Sequence, residues 1–219
     1  MLLDLVFPRR CVVCGSDGAV LCSYCEQGLE RLGNPLCERC GAPTAWPVER
    51  CRECAGRRIA FARARAAVAY DDSAKRLVGA WKERGQRTLA ELAAELVDGV
   101  VPRPSAYTIT FVAADHDRLL KRGHNPTHRL AAELGARWQL PVVPLLRRAP
   151  GREAQKGLTL AERRRNVRGA FSPTAAVPKT VVLVDDVYTS GATVSAAATA
   201  LRKGGARRVE VVTFARAVR

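Results

Sequence analysis

The chain has 219 residues, 47% of them hydrophobic, and a formal net charge of +15 at pH 7. That apolar fraction excludes a disordered chain, and the length suits one ordinary domain with a small accessory module. No apolar run reaches membrane-spanning length, and the stretch Met1 to Phe7 has the wrong charge order for an export signal. We expect a cytoplasmic protein without membrane insertion, its first residues forming a short amphipathic helix on the body.

The charge is uneven. Residues 1–58 hold 8 Lys+Arg against 7 Asp+Glu, and the remainder holds 28 against 14. The excess gathers in segments 147–168 and 202–219. It suits polyanions, from pyrophosphate esters to nucleic acid strands, or serves as a solvated basic face. All eight cysteines fall in Cys-x-x-Cys pairs: Cys11/Cys14, Cys22/Cys25, Cys37/Cys40 and Cys51/Cys54. A two-residue gap aims both thiolates of a tight turn at one ion, and two such knuckles complete a tetrahedron. Gly15 and Gly41 directly follow their second cysteines, as such turns favour. Disulfides would need an oxidising compartment, and a redox motif would be one pair beside a βαβ unit, not four in series. The spacing therefore predicts two structural zinc ions with four cysteines each. Consecutive pairing closes the shorter loops, and interleaved pairing stays open. With eight thiolates and two ions the module gains about −4, which makes it a poor nucleic-acid grip by charge alone.

From Ile59 onward strand and helix patterns alternate. Ala66–Tyr70 reads as a strand. Ser73 is placed to cap a following helix, and Thr88 with Glu91 forms a capping box ahead of Leu89, Leu92 and Leu96. Tyr107–Ala113 is β-prone. Asn125-Pro126 is a cap and first helical position for a helix with Leu130, Leu134 and Trp138 on one face. Pro141–Leu146 is a further strand candidate. Val181–Val184 is a continuous apolar run, as in a strand covered on both faces. A helix carrying Val194, Ala198 and Leu201 stops at Gly204-Gly205, and Val209–Phe214 is a last strand. Such alternation indicates an α/β domain built on a mostly parallel sheet. The division expected is a zinc module over 1–58 and an α/β domain over 59–219.

The segment Val181 to Thr193 carries the chemistry. In open parallel sheets ligands sit at the carboxyl ends of strands, where Asp185 and Asp186 stand. A loop of small residues, Thr189-Ser190-Gly191-Ala192-Thr193, then opens directly into a helix. Its N–H groups and hydroxyls suit a phosphate dianion, and Gly191 permits close backbone approach. The two carboxylates suit the vicinal hydroxyls of a sugar. Together the halves of the motif fit ribose 5-phosphate, and with it a phosphoribosyl donor.

This segment resembles the phosphoribosyl pyrophosphate signature of type I phosphoribosyltransferases, and the chain resembles the ComF family of competence-associated proteins nearly end to end. The likeness includes a double zinc ribbon, Trp81-Lys82, Arg118 with Arg122-Gly123-x-Asn125, and Gln155, Leu158, Arg163, Asn166, Val167, Ala170 and Phe171. It implies a type I phosphoribosyltransferase-like parallel sheet flanked by helices behind an N-terminal double zinc ribbon. Asp115 to Asn125 would cradle pyrophosphate through Arg118 and Arg122. Arg148 to Asn166 would fold over the donor as a flexible loop, with Arg148, Gln155, Arg163 and Asn166 among its functional positions. Magnesium would bind chiefly donor oxygens.

The activity so implied is that of a phosphoribosyltransferase (a pentosyltransferase) in DNA uptake or nucleotide salvage. No segment identifies the acceptor, and no side chain is assigned an acid–base or covalent role. The alternative is a non-catalytic protein of the competence machinery that senses the donor or handles single-stranded DNA, in contact with DNA-processing proteins. Val112-Ala113-Ala114 stands where the family usually has Val-Pro-Leu, and His124-Asn125-Pro126 where it has Phe-Asn-Gln. Both departures favour binding without chemistry.

Overall fold

The computed structural model describes residues 9–83, 88–115, 119–120, 123–149 and 169–218. The segment Met1 to Phe7 lies outside them. The elements in chain order are α1 (Ser23–Gln27), β1 (Arg63–Ala69), α2 (Asp72–Glu83), α3 (Thr88–Val100), β2 (Thr108–Phe111), α4 (Pro126–Trp138), β3 (Leu146–Arg148), β4 (Phe171–Pro173), β5 (Thr180–Tyr188), α5 (Ala192–Lys203) and β6 (Arg208–Arg216). Four strands form a parallel sheet in the order β1–β6–β5–β2, so β5 is paired on both sides. Its apolar run follows from that position: Val181, Val182, Leu183 and Val184 are each 0% exposed. Burial of each such side chain contributes roughly 1.5–3 kcal/mol.

Helices cover both faces. On one, Trp81 of α2, Leu89 of α3 and Leu130, Leu134 and Trp138 of α4 pack with Val182 and Val184. The Trp138 indole donates to Asp98 Oδ1 at 2.6 Å, which ties α4 to α3 and satisfies the buried N–H. On the other face, Val194, Ala198 and Leu201 of α5 pack with Val181 and Leu183. Cys37, Cys40, Cys54 and Phe61 belong to that same cluster, so the second cysteine group is built into the core. The segment around Arg31 runs antiparallel to β1, with Leu32 N–H donating to the Ala67 carbonyl and Ala69 N–H to the Glu30 carbonyl, each at 2.8 Å. This covers an otherwise open sheet edge.

Local signals held at α4, where the Asn125 side chain accepts from the N–H groups of Thr127 and His128. Such a cap contributes about 1 kcal/mol. Two expectations need correction. The cap of α2 is Asp71, whose Oδ1 accepts from Ala74 N–H at 2.8 Å, and Ser73 lies inside the helix. The Pro141–Leu146 run makes a single parallel bridge, Val142 to Ile109. The strand proper is Leu146–Arg148, which pairs antiparallel with Phe171–Pro173. Leu145 N–H instead donates to the buried Thr110 hydroxyl at 3.1 Å, which turns the chain off the β2 edge.

Candidate functional site

The cysteines form two groups, Cys11/Cys14/Cys22/Cys25 and Cys37/Cys40/Cys51/Cys54, each with its Sγ atoms within 4.8 Å of one another. A tetrahedral zinc–thiolate site has sulfur–sulfur edges of about 3.8 Å. Cys14 to Cys22 measures 3.7 Å and Cys40 to Cys51 measures 3.5 Å. The pairing is therefore consecutive. Gly15 (φ 82°) and Gly41 (φ 67°) adopt the left-handed backbone expected after each second cysteine. Their N–H groups return to the carbonyls of Cys11 and Cys37 at 2.8 and 2.9 Å. No disulfide links any of the eight thiols. Four soft ligands per group fit zinc and leave no position for a reacting water, so the chemistry of both sites is structural.

The second site lies at the carboxyl end of β5. Asp185 and Asp186 are 8% and 7% exposed. The Asp185 carboxylate accepts from Asp186 N–H at 3.0 Å. Asp186 Oδ2 lies 2.5 Å from Nζ of Lys82, the penultimate residue of α2. Burial and the adjacent Asp186 charge push the Asp185 carboxyl up to about 7, while Lys82 and Arg148 pull it down. Burial lowers the Lys82 ammonium, but the Asp186 and Asp185 charges more than offset it, and the net direction is up. Lys82 is thus held as a cation beside the two acids.

Beyond the acids, the chain turns through Thr189, Ser190 and Gly191, and α5 starts at Ala192. Gly191 has φ 70°, and a Cβ there would run into the Tyr188 hydroxyl and ring, so any side chain is strained. Ser190 Oγ accepts from Ala192 N–H at 3.3 Å, and the Ser190 carbonyl accepts from Arg57 Nη2 at 2.9 Å. Across the site, Arg148 Nε lies 3.8 Å from Asp115 Oδ2, and its guanidinium sits 5.5 Å from the Phe171 ring centroid. The fold therefore brings Asp115, Arg148 and the β5 acids together. Arg118, Arg122, Gln155, Arg163 and Asn166 lie outside the described residues.

Residues 2–55 match the double zinc ribbon domain, and residues 147–218 match the phosphoribosyl transferase domain. Competence protein F of Haemophilus influenzae is 27% identical across 96% of this chain and 98% of its own length. Competence protein ComFC of Streptococcus pneumoniae is 25% identical across 92% and 90%. Both domains and these relatives together support the ComF family for this chain. Its parallel sheet with flanking helices behind a double zinc ribbon is the architecture expected of that family. Among solved structures, glutamine phosphoribosylpyrophosphate amidotransferase from B. subtilis aligns at 22% identity with a TM-score of 0.39. That alignment covers 58% of this chain, which spans 25% of the amidotransferase.

Several residues around the carboxyl end of β5 carried no local signal. Trp81-Lys82 was visible as a dipeptide, but nothing in the sequence pairs Lys82 with Asp186. Arg57 and the meeting of Tyr188 with Arg216 were equally silent. Beside the site lie two adjoining clefts of about 540 and 340 Å³ that share Arg57, Arg58 and Thr199. Arg39, Arg50 and Lys203 complete their cationic lining, and no carboxylate lines either among the described residues. No described helix is long and apolar enough to cross a membrane.

Proposed function

We propose that this chain binds phosphoribosyl pyrophosphate with magnesium at the carboxyl end of β5 and transfers the phosphoribosyl group to an acceptor. The observation that carries the reading is the sequence of parts at that strand end. Two buried acids, with Lys82 on Asp186, precede a left-handed glycine turn into the N-terminus of α5. Asp185 and Asp186 accept the ribose hydroxyls, and the N–H groups and hydroxyls of residues 189–193 take the 5-phosphate. Magnesium would be held chiefly by donor oxygens, with few ligands from this chain, and would supply charge neutralisation to the pyrophosphate. Arg148 adds positive charge near Asp115, where pyrophosphate would leave.

The relatives named for competence support a place in DNA uptake. They also support a second reading, a non-catalytic cytoplasmic protein that senses the donor or holds single-stranded DNA with other competence proteins. The cationic clefts, with no carboxylate among their described lining residues, favour it. Incubation with magnesium, donor and a panel of nucleobases and amines separates the two. Acceptor-dependent pyrophosphate release supports transfer, and tight donor binding without release with any acceptor supports the second reading. No measurable donor binding sinks transfer and donor sensing alike and leaves only the strand-holding form of the second reading.

A further inference from the structure

We propose that the second cysteine knuckle braces the phosphate loop from outside, with Arg57 and Arg216 as the positioning residues that connect them. The ligand consequence rests on the function proposed above; the mechanical one does not.

Two struts link the Cys37/Cys40/Cys51/Cys54 group to the loop, one ending on Ser190 and the other on Tyr188 at its base. Arg57 follows Cys54 by three positions, and its backbone is pinned to the knuckle. Its N–H donates to the Cys54 carbonyl at 3.2 Å, and its own carbonyl accepts from Arg50 Nη2 at 2.6 Å. From that anchor its guanidinium donates to the Glu53 carbonyl at 3.2 Å and to the Ser190 carbonyl at 2.9 Å. The second strut is Arg216, the last residue of β6 and 1% exposed. It donates to the Cys40 carbonyl at 3.0 Å and to Glu53 Oε2 at 2.9 Å. Its guanidinium lies 4.5 Å from the centroid of the Tyr188 ring, which also meets Phe61 edge-on at 6.2 Å. That ring fills the space a side chain at Gly191 would need. Ser190 is held through Arg57, and Arg216 holds the Tyr188 ring that packs against Gly191.

The first group docks elsewhere. Val12, Val13, Val20 and Leu21 pack on the α2–α4 side, and the Val13 carbonyl accepts from Arg76 of α2 at 2.7 Å. The two knuckles are therefore unequal. A loop whose N–H groups must converge on an anion binds in proportion to the fraction of time it holds that shape. The brace raises that fraction only while the second knuckle is closed by its metal.

The test uses the full-length zinc-loaded protein, Arg57→Met, Arg57→Lys, Cys51→Ser in the second group and Cys22→Ser in the first. Amide hydrogen exchange is followed by segment, with zinc content and ribose 5-phosphate affinity measured alongside. Arg57→Met and Cys51→Ser should speed exchange over residues 189–194 at least tenfold while the interior of β5 and β6 keeps its protection. Arg57→Lys should recover part of the protection, since an ammonium still supplies a donor to Ser190. Cys22→Ser should lower zinc content yet leave the loop at the wild-type rate. Ribose 5-phosphate affinity should fall in proportion to the formed fraction of the loop that the exchange rates give. Wild-type loop protection in Arg57→Met, or equal loosening by Cys22→Ser and Cys51→Ser, would overturn the brace. If Cys51→Ser unfolds throughout, Arg57→Met decides alone. If the wild type binds no ribose 5-phosphate, the ligand reading fails and the exchange result still decides the brace.

Discussion

Lys82 and the two β5 acids form a three-charge cluster in which no charge is independent. Replacing Asp185 and Asp186 together by Asn keeps their size and removes charge and acceptor strength. Calorimetry with magnesium and donor should show at least a tenfold loss of affinity, about 1.4 kcal/mol, the low end for charged hydrogen bonds. Asp185 also makes binding depend on pH. Because its carboxyl is raised from 3.8 to about 7, first by burial and then by Asp186, the folded chain holds a proton that the unfolded chain has released. The group's contribution to stability is thus greatest at low pH and is lost as pH rises from about 4 to about 7. Donor hydroxyls and a cationic metal prefer the ionised form, so donor affinity should rise between about pH 6 and pH 8, with proton uptake by buffer at the lower value. In Lys82→Met the rise should move to higher pH, because the cation that lowers the Asp185 carboxyl is gone. A pH-independent affinity would mean that Asp185 does not meet the ligand.

At the scale of elements, the β5–α5 turn and the knuckles each depend on a backbone geometry. Gly191→Ala places a side chain at φ 70° and against Tyr188. The left-handed conformation alone costs about 1–2 kcal/mol, and each kcal/mol lowers the melting point by about 2–4 °C in a domain of this size. A thermal melt should therefore show a loss of several degrees, accompanied by weaker donor binding. Elemental analysis of protein purified without chelator should give two zinc ions per chain. Absence of zinc, or mapped disulfides among the eight cysteines, would contradict both sites. The knuckles were legible because both thiolates of a pair sit on one turn, and the same holds for the Asn125-Pro126 cap. The β3–β4 pair was not, because β-propensity over Pro141–Leu146 cannot say which residues find a partner strand.

For the molecule as a whole, the net charge of +15 matters less than its arrangement. The near-neutral count of residues 1–58 understates the ribbon, since Arg39, Arg50, Arg57 and Arg58 all line the smaller cleft against α5. If single-stranded DNA binds, its log affinity should fall steeply with log salt, by about 0.7 per phosphate neutralised. The basic segments 147–168 and 202–219 would supply that charge, and the flexible-loop arginines would serve both donor and strand, so saturating donor should weaken strand binding, and the strand should weaken donor binding by the same factor. Fluorescence anisotropy of a labelled oligonucleotide, with and without magnesium and donor, reads both effects. Tight binding that ignores salt or survives donor unchanged would place the strand on a separate surface.

The sequence by itself determined the parts whose physics is local. These are the four Cys-x-x-Cys turns, the alternation of strand and helix, and the run from Val181 to Thr193 that sets acids before a phosphate-sized loop. Each depends on residues within one or two turns of chain, where spacing alone fixes which groups meet. The partners of that loop were decided by tertiary structure. Arg57 reaches Ser190 across 133 residues, and Arg216 reaches Cys40 across 176. Lys82 meets Asp186 because α2 covers one face of the sheet, and the second knuckle meets Tyr188 because it covers the other. A side-chain contact across such separations follows from strand order and packing depth, and no local propensity encodes either.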